Sequence, residues 1–186
     1  MNERAKAILD FWFIKSSSEY YFKKNDKFDK KIRDRFKNDY KKAANNELED
    51  WQDKPYCCLA LIILLDQFSR NLNRNSPLAF VNDHKARLIV NEAVDRGDLE
   101  ILDQNQKLFL LLPLIHSEAI SDHIFAHKLR EAYLIDHPYH KDIKKSWDYH
   151  TNAIKKFNRY PHRNVILKRT STKDEIIFLS GPNSSW

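Results

Sequence analysis

Glycine is almost missing from this chain: 186 residues hold 2, with 6 prolines. A β-rich fold needs many tight turns, and glycine supplies the left-handed backbone they require. The shortage therefore argues against a sandwich or barrel and favours long helices joined by short loops. Cysteine is as scarce. The 2 cysteines, Cys57 and Cys58, are adjacent, and neighbouring helical positions point in different directions, so they read as small core residues and not as a disulfide framework. No apolar stretch reaches the roughly 18 residues of a membrane span, and no charged-then-apolar leader precedes a small-residue cleavage site. The expectation is a cytoplasmic protein without membrane contact. Glycine-rich phosphate loops, nucleophile motifs and dinucleotide fingerprints are also missing, so no cofactor is expected.

What is present suits one core. The chain is 42% hydrophobic and 12% aromatic, enough for a single domain over residues 1–186. The net charge of +6 comes from 32 Lys and Arg against 26 Asp and Glu. Lysine pairs such as Lys30–Lys31, Lys41–Lys42, Lys144–Lys145 and Lys155–Lys156 sit beside acids or opposite apolar stripes. They read as solvated helix surface, and no nucleic-acid partner is expected.

The organising stretch is residues 57–71, CCLALIILLDQFSRN, where an apolar run from Cys57 to Leu65 passes into Asp66, Gln67, Arg70 and Asn71. Such a run reads as a helix, about 54–70, buried on all sides, with polar groups in its last turn. An unpaired buried charge costs about 3–5 kcal/mol, so other segments must bring partners to Asp66 and Arg70.

Periodicity places the other helices. Ala5, Ile8, Leu9, Trp12 and Phe13 share a face over about 3–13, ended by Ser16 to Ser18. Phe28, Ile32, Phe36, Tyr40 and Ala43 do so over 26–44. Asp53 is positioned to cap the central helix, with Pro55 in its first turn. Ser76 and Pro77 announce a fourth helix reaching Arg96, with Gly97 as a left-handed cap and a stripe of Ala79, Asp83, Ala86, Val90 and Ala93. Asp103 and Gln106 form a capping box; Pro113 then predicts a kink or restart near Ser117, with helix continuing over 118–135. A stripe of Tyr139, Ile143, Trp147, His150, Ile154 and Phe157 follows, in which His150 alone titrates near neutral pH. Thr172 and Glu175 box the last helix, which closes before Gly181. The fold class is an all-α bundle of about seven helices around the central one.

Polar residues gather where the pattern predicts burial: Asp66, Gln67, Arg70 and Asn71; Asp83; His116, Ser117 and Glu118; His150; and the loop Arg159, His162, Arg163 and Asn164. Their meeting would satisfy each other's hydrogen bonds. As a small-molecule site, Arg70, Arg159 and Arg163 would hold a small phosphate or carboxylate, helped by Gln67, Asn71 and Asn164. His116, His150 or His162, with Glu118, Asp66 or Asp83, would move a proton. A metal would need His116 and Glu118 with His150 or His162. His123 and His127 have the i, i+4 spacing, but Ile124 and Phe125 stand where an HExxH motif has its acid, and no metal is assigned. The same residues also suit a structural network that fixes helix register.

LDQFSRN, PLIHSE, YPHRN followed by KRTSTKDE, and the opening LDFWF together resemble the bacterial DUF924 family over nearly the whole chain. The resemblance implies an all-helical fold of the tetratricopeptide-like superfamily and carries no established reaction. By analogy with that superfamily it implies a peptide or protein partner, for which Trp51, Tyr56 and Trp186 would line a groove. The chain departs from the family pattern in Ser69 for Pro, Asn158 for Gly, Tyr160 for Phe and His123 for Gln. Asn tolerates a left-handed backbone, so the loop geometry at Asn158 survives the change.

Overall fold

Every residue of the apolar run is buried, and it forms the axis of the fold. A computed structural model describes residues 2–15, 20–21, 23–182 and 184–185. Among these, eight helices and no strands are found. The first, α1 (Glu3–Leu9), is started by the Asn2 side chain accepting from the Arg4 and Ala5 amides, and it runs on as a π-helical turn, Asp10–Lys15. Next come α2 (Asp26–Ala44), capped by Asn25, and the central helix α3, which comprises Pro55–Ile62, a π turn Ile63–Phe68 and Ser69–Leu72. The others are α4 (Asp83–Asp95), α5 (Gln104–Ile115), α6 (Ile120–Tyr133), α7 (His140–Phe157) and α8 (Lys173–Leu179).

Helix α3 packs against α1, α2, α4 and α5, while α6 and α7 pair beside α5. An aromatic cluster ties α1, α2, α3 and α5 together. Phe11 stacks on Phe28 at 5.6 Å, and Trp12 meets Phe68 and Phe109 edge-on at 5.6 and 5.4 Å. Such pairs add about 0.5–1.5 kcal/mol each beyond the area they bury. Cys57 and Cys58 are free and buried, as core residues should be. No helix among the described residues is long and apolar enough to cross a membrane.

Several local expectations are corrected. Lys54, not Asp53, holds the N-cap position of α3, with no side-chain cap; Pro55 at the first helical position presets the helical φ and leaves one open amide fewer at this end. Ser76 and Pro77 open a 3-10 turn, Pro77–Ala79, and α4 begins only at Asp83. Helix α6 starts at Ile120 and ends at Tyr133. Tyr139 is exposed outside its stripe, and Trp51, assigned to a surface groove, is buried in the core. Ser16 to Ser18 and Trp186 lie outside the described residues. Both capping boxes form, and Gly97 takes its left-handed cap at φ 85°.

Candidate functional site

Helix α5 ends at Ile115, one short turn after Pro113, and leaves three successive carbonyls without helical donors. Each is taken by a side chain from elsewhere. The Tyr160 hydroxyl donates to the Ile115 carbonyl, Arg163 Nη2 to that of His116 at 2.9 Å, and His123 Nε2 lies 2.9 Å from that of Ser117. The bonds from Tyr160 and Arg163 fix the loop over 158–164 against the end of α5, which runs unbroken through Pro113 to Ile115. Asn158, with φ 55°, supplies the left-handed turn that starts this loop.

At the same place the central helix widens into its π turn, which carries Asp66 and Gln67. Such turns recur at functional sites because the added residue redirects side chains. Asp66 is wholly buried and makes four contacts with three groups: His116 Nδ1 at 2.7 Å, Arg70 Nη1 at 3.0 Å and Gln67 Nε2 at 2.5 Å, all on its carboxylate, and Arg70 Nη1 again at its main-chain oxygen, 2.7 Å. Burial alone would raise the Asp66 carboxyl, but Arg70, His116 and Gln67 hold it well below the usual carboxylate range. A carboxylate can only accept, so His116 Nδ1 carries hydrogen and Nε2 is the ring's basic nitrogen in its neutral form.

Arg70 reaches on to Asp83 at 3.1 Å, and Arg163 meets the same carboxylate at 3.3 Å. Both guanidinium groups lie over the Phe80 ring, Arg163 at 4.5 Å and Arg70 at 5.7 Å, and Arg163 also lies 4.7 Å from the Tyr160 centroid. Arg163 is buried, and its Nε has no hydrogen-bond partner among the described residues. Burial pushes its guanidinium below the ordinary value; Asp83 opposes that and Arg70 adds to it. The side chains of Arg70, Asp83 and His116 remain 22%, 16% and 17% exposed, so the cluster has one edge open to solvent.

His150 and His162 flank Tyr160, with ring centroids 5.9 and 5.4 Å from it. Burial depresses both to about 3, His162 with further help from Arg163. His150 Nδ1 lies 2.8 Å from the Ser146 carbonyl, a donor's place. The expectation that His150 titrates near neutral pH is therefore corrected: burial keeps the ring neutral.

The remaining residues are placed otherwise. Glu118 is gripped by Arg169 at 2.7 and 2.9 Å and accepts the Tyr160 amide at 2.8 Å. Asn164 accepts from Arg169 Nε and donates to Ser171; Arg159 pairs with Glu175 through two bonds. These brace the loop against α8. Asn71 points away and donates to Asp29, which Arg74 also holds. Two open grooves lie away from the cluster, one containing Arg159 and Glu175, the other Asn71, Asp29 and Arg74. Sequence reasoning missed Tyr160, Phe80 and Arg169 as members of this region. Arg169 lies in the KRTSTKDE segment just before the capping box, and Phe80 three residues before Asp83, but neither spacing marks a contact. No group of three or more His, Cys, Asp or Glu among the described residues is arranged to hold a metal ion.

A family model described as a bacterial protein of unknown function, DUF924, matches residues 8–183. A solved structure of a protein of unknown function from Agrobacterium tumefaciens is similar over 95% of this chain and 97% of its own, with 33% identity and a TM-score of 0.85. No curated protein matches the chain.

Proposed function

This chain belongs to the DUF924 family of bacterial proteins of unknown function, and we propose that it binds a small anionic molecule at the open edge of the Asp66, Arg70, Asp83, His116 and Arg163 cluster. One observation carries the reading: Arg163, buried, shares a single carboxylate with Arg70, and its Nε has no partner among the described residues. A buried guanidinium is costly unless its fork is filled, and a carboxylate or phosphate matches that fork. Nearby cations also count among the influences that lower His162 and Arg163, so a bound anion relieves a field already unfavourable to positive charge.

His116 supplies the chemistry in this reading. Its Nδ1 is committed to Asp66, which orients the ring and leaves Nε2 to exchange a proton with the ligand. Arg70 and Arg163 position the anion. His150 and His162 stay neutral and act as hydrogen-bonding groups.

The test is a thermal-shift screen of wild type and Arg163→Ala against inorganic phosphate, nucleotides, small carboxylates and divalent metals. A ligand at 100 times its Kd stabilises by about 2.7 kcal/mol, a rise of about 5–10 °C for a domain of this size. A carboxylate or phosphate hit that Arg163→Ala abolishes supports the site. If no anion shifts wild type, and Arg163→Ala melts far below it, the arginine is a structural brace and the proposal falls.

A further inference from the structure

Thr151, on α7, sits between two imidazoles of α6. Its Oγ1 lies 3.0 Å from His123 Nδ1, 2.9 Å from His127 Nε2 and 2.8 Å from the Trp147 carbonyl. His123 is wholly buried, whereas His127 is half-buried toward the outer side of the helix pair. The other nitrogen of His123 faces the Ser117 carbonyl at 2.9 Å and the Tyr160 hydroxyl at 3.4 Å.

Donor rules order this arrangement. A carbonyl can only accept, so His123 Nε2 carries the ring hydrogen. Burial lowers His123, so the ring is neutral and Nδ1 is bare. A hydroxyl can turn, unlike a carbonyl. Thr151 therefore swings its hydrogen from the Trp147 carbonyl to His123 Nδ1, and its lone pairs accept the Nε2 hydrogen of His127. Donation then runs in one direction, from His127 through Thr151 and His123 to the Ser117 carbonyl at the end of α5.

We propose that His127, Thr151 and His123 form a proton path from the outer side of the α6–α7 pair to the buried polar cluster, with His123 as its inner end beside Tyr160. The step balances without a co-reactant other than water. A proton taken up at His127 Nδ1 releases the Nε2 proton to Thr151 Oγ1 as the hydroxyl proton passes to His123 Nδ1. His127 returns to neutral, and His123 becomes an imidazolium with hydrogen on both nitrogens. Around His127 stand Arg130 of its own helix and Lys144, Asp148 and Lys155 of α7; around His123 stand Asp122, His116 and His127, with Tyr160 from the loop. The path does not depend on the anion reading.

The test is nitrogen-15 NMR of the histidine rings, which reads tautomer and hydrogen exchange directly. In wild type near neutral pH, both His123 and His127 are expected as Nε2–H tautomers. Thr151→Val keeps the side-chain shape without the hydroxyl; it should convert His127 to a mixture of tautomers and slow severalfold the exchange of His123 Nδ1 between its bare and protonated forms, and Thr151→Ser should restore both. An Nδ1–H tautomer at His123 in wild type, which needs no variant to detect, overturns the path. An unchanged rate of Nδ1 protonation at His123 in Thr151→Val overturns it as well.

Discussion

Arg163 and His116 are joined twice over, once by the main chain and once through carboxylates. Arg163 Nη2 donates to the His116 carbonyl at 2.9 Å, while the His116 ring donates to Asp66, which shares Arg70 with Asp83, the carboxylate that Arg163 also meets. Three helices and a loop close one ring of charges. A change at any member is felt by the rest.

Arg70→Ala tests the ring most directly. It removes two contacts from wholly buried Asp66 and one carboxylate partner from Asp83. The expected loss is about 3 kcal/mol, at the lower end for an orphaned buried charge because His116 and Gln67 still hold Asp66. Urea unfolding would read it as a lower midpoint at unchanged slope.

Acid should weaken the fold in two stages. His150 and His162 are depressed to about 3, so below the ordinary histidine value of about 6.5 the unfolded chain binds protons that the folded one refuses. Stability is full above that value and falls by about 1.4 kcal/mol per pH unit for each ring as pH drops toward about 3. Asp66 is depressed as well; its contribution is present above the ordinary carboxylate range and is lost as pH falls below it. Unfolding curves across a pH series should show the slope of the first stage about halved in His162→Asn.

The loop has its own anchor. Arg169 bonds Asn164, both Glu118 oxygens and the Tyr160 carbonyl. Arg169→Ala should destabilise by about 2–3 kcal/mol, since hydrogen bonds to charged groups are the stronger ones. Hydrogen exchange should rise over residues 158–172 and not in α3. Uniformly faster exchange across the chain would show that the loop does not open by itself.

Gly97 separates backbone cost from packing cost. Its φ is 85°, and a Cβ placed there meets nothing within 4 Å. Gly97→Ala should therefore cost about 1 kcal/mol, from the left-handed conformation alone. A loss beyond about 2 kcal/mol by thermal or urea unfolding would mean that the turn rearranges.

Local chemistry was legible from the residues themselves. Helix α2 runs from Asp26 to Ala44 as its periodicity requires, Asp103 with Gln106 and Thr172 with Glu175 close their boxes, and Gly97 takes a left-handed backbone. Each of these rests on hydrogen bonds or dihedral preferences within about four residues, which neighbours in sequence decide. That Asp66 and Arg70 needed partners followed from burial alone. Which partners they found did not, because Asp66 meets His116 across 50 positions and Arg163 meets Asp83 across 80. Nor did spacing show that Glu118 would belong to Arg169, that Asn71 would turn to Asp29, or that Trp51 would be buried and Tyr139 exposed. Those outcomes depend on how the helices pack, and a one-dimensional pattern fixes which face of a helix is apolar but not what lies against it.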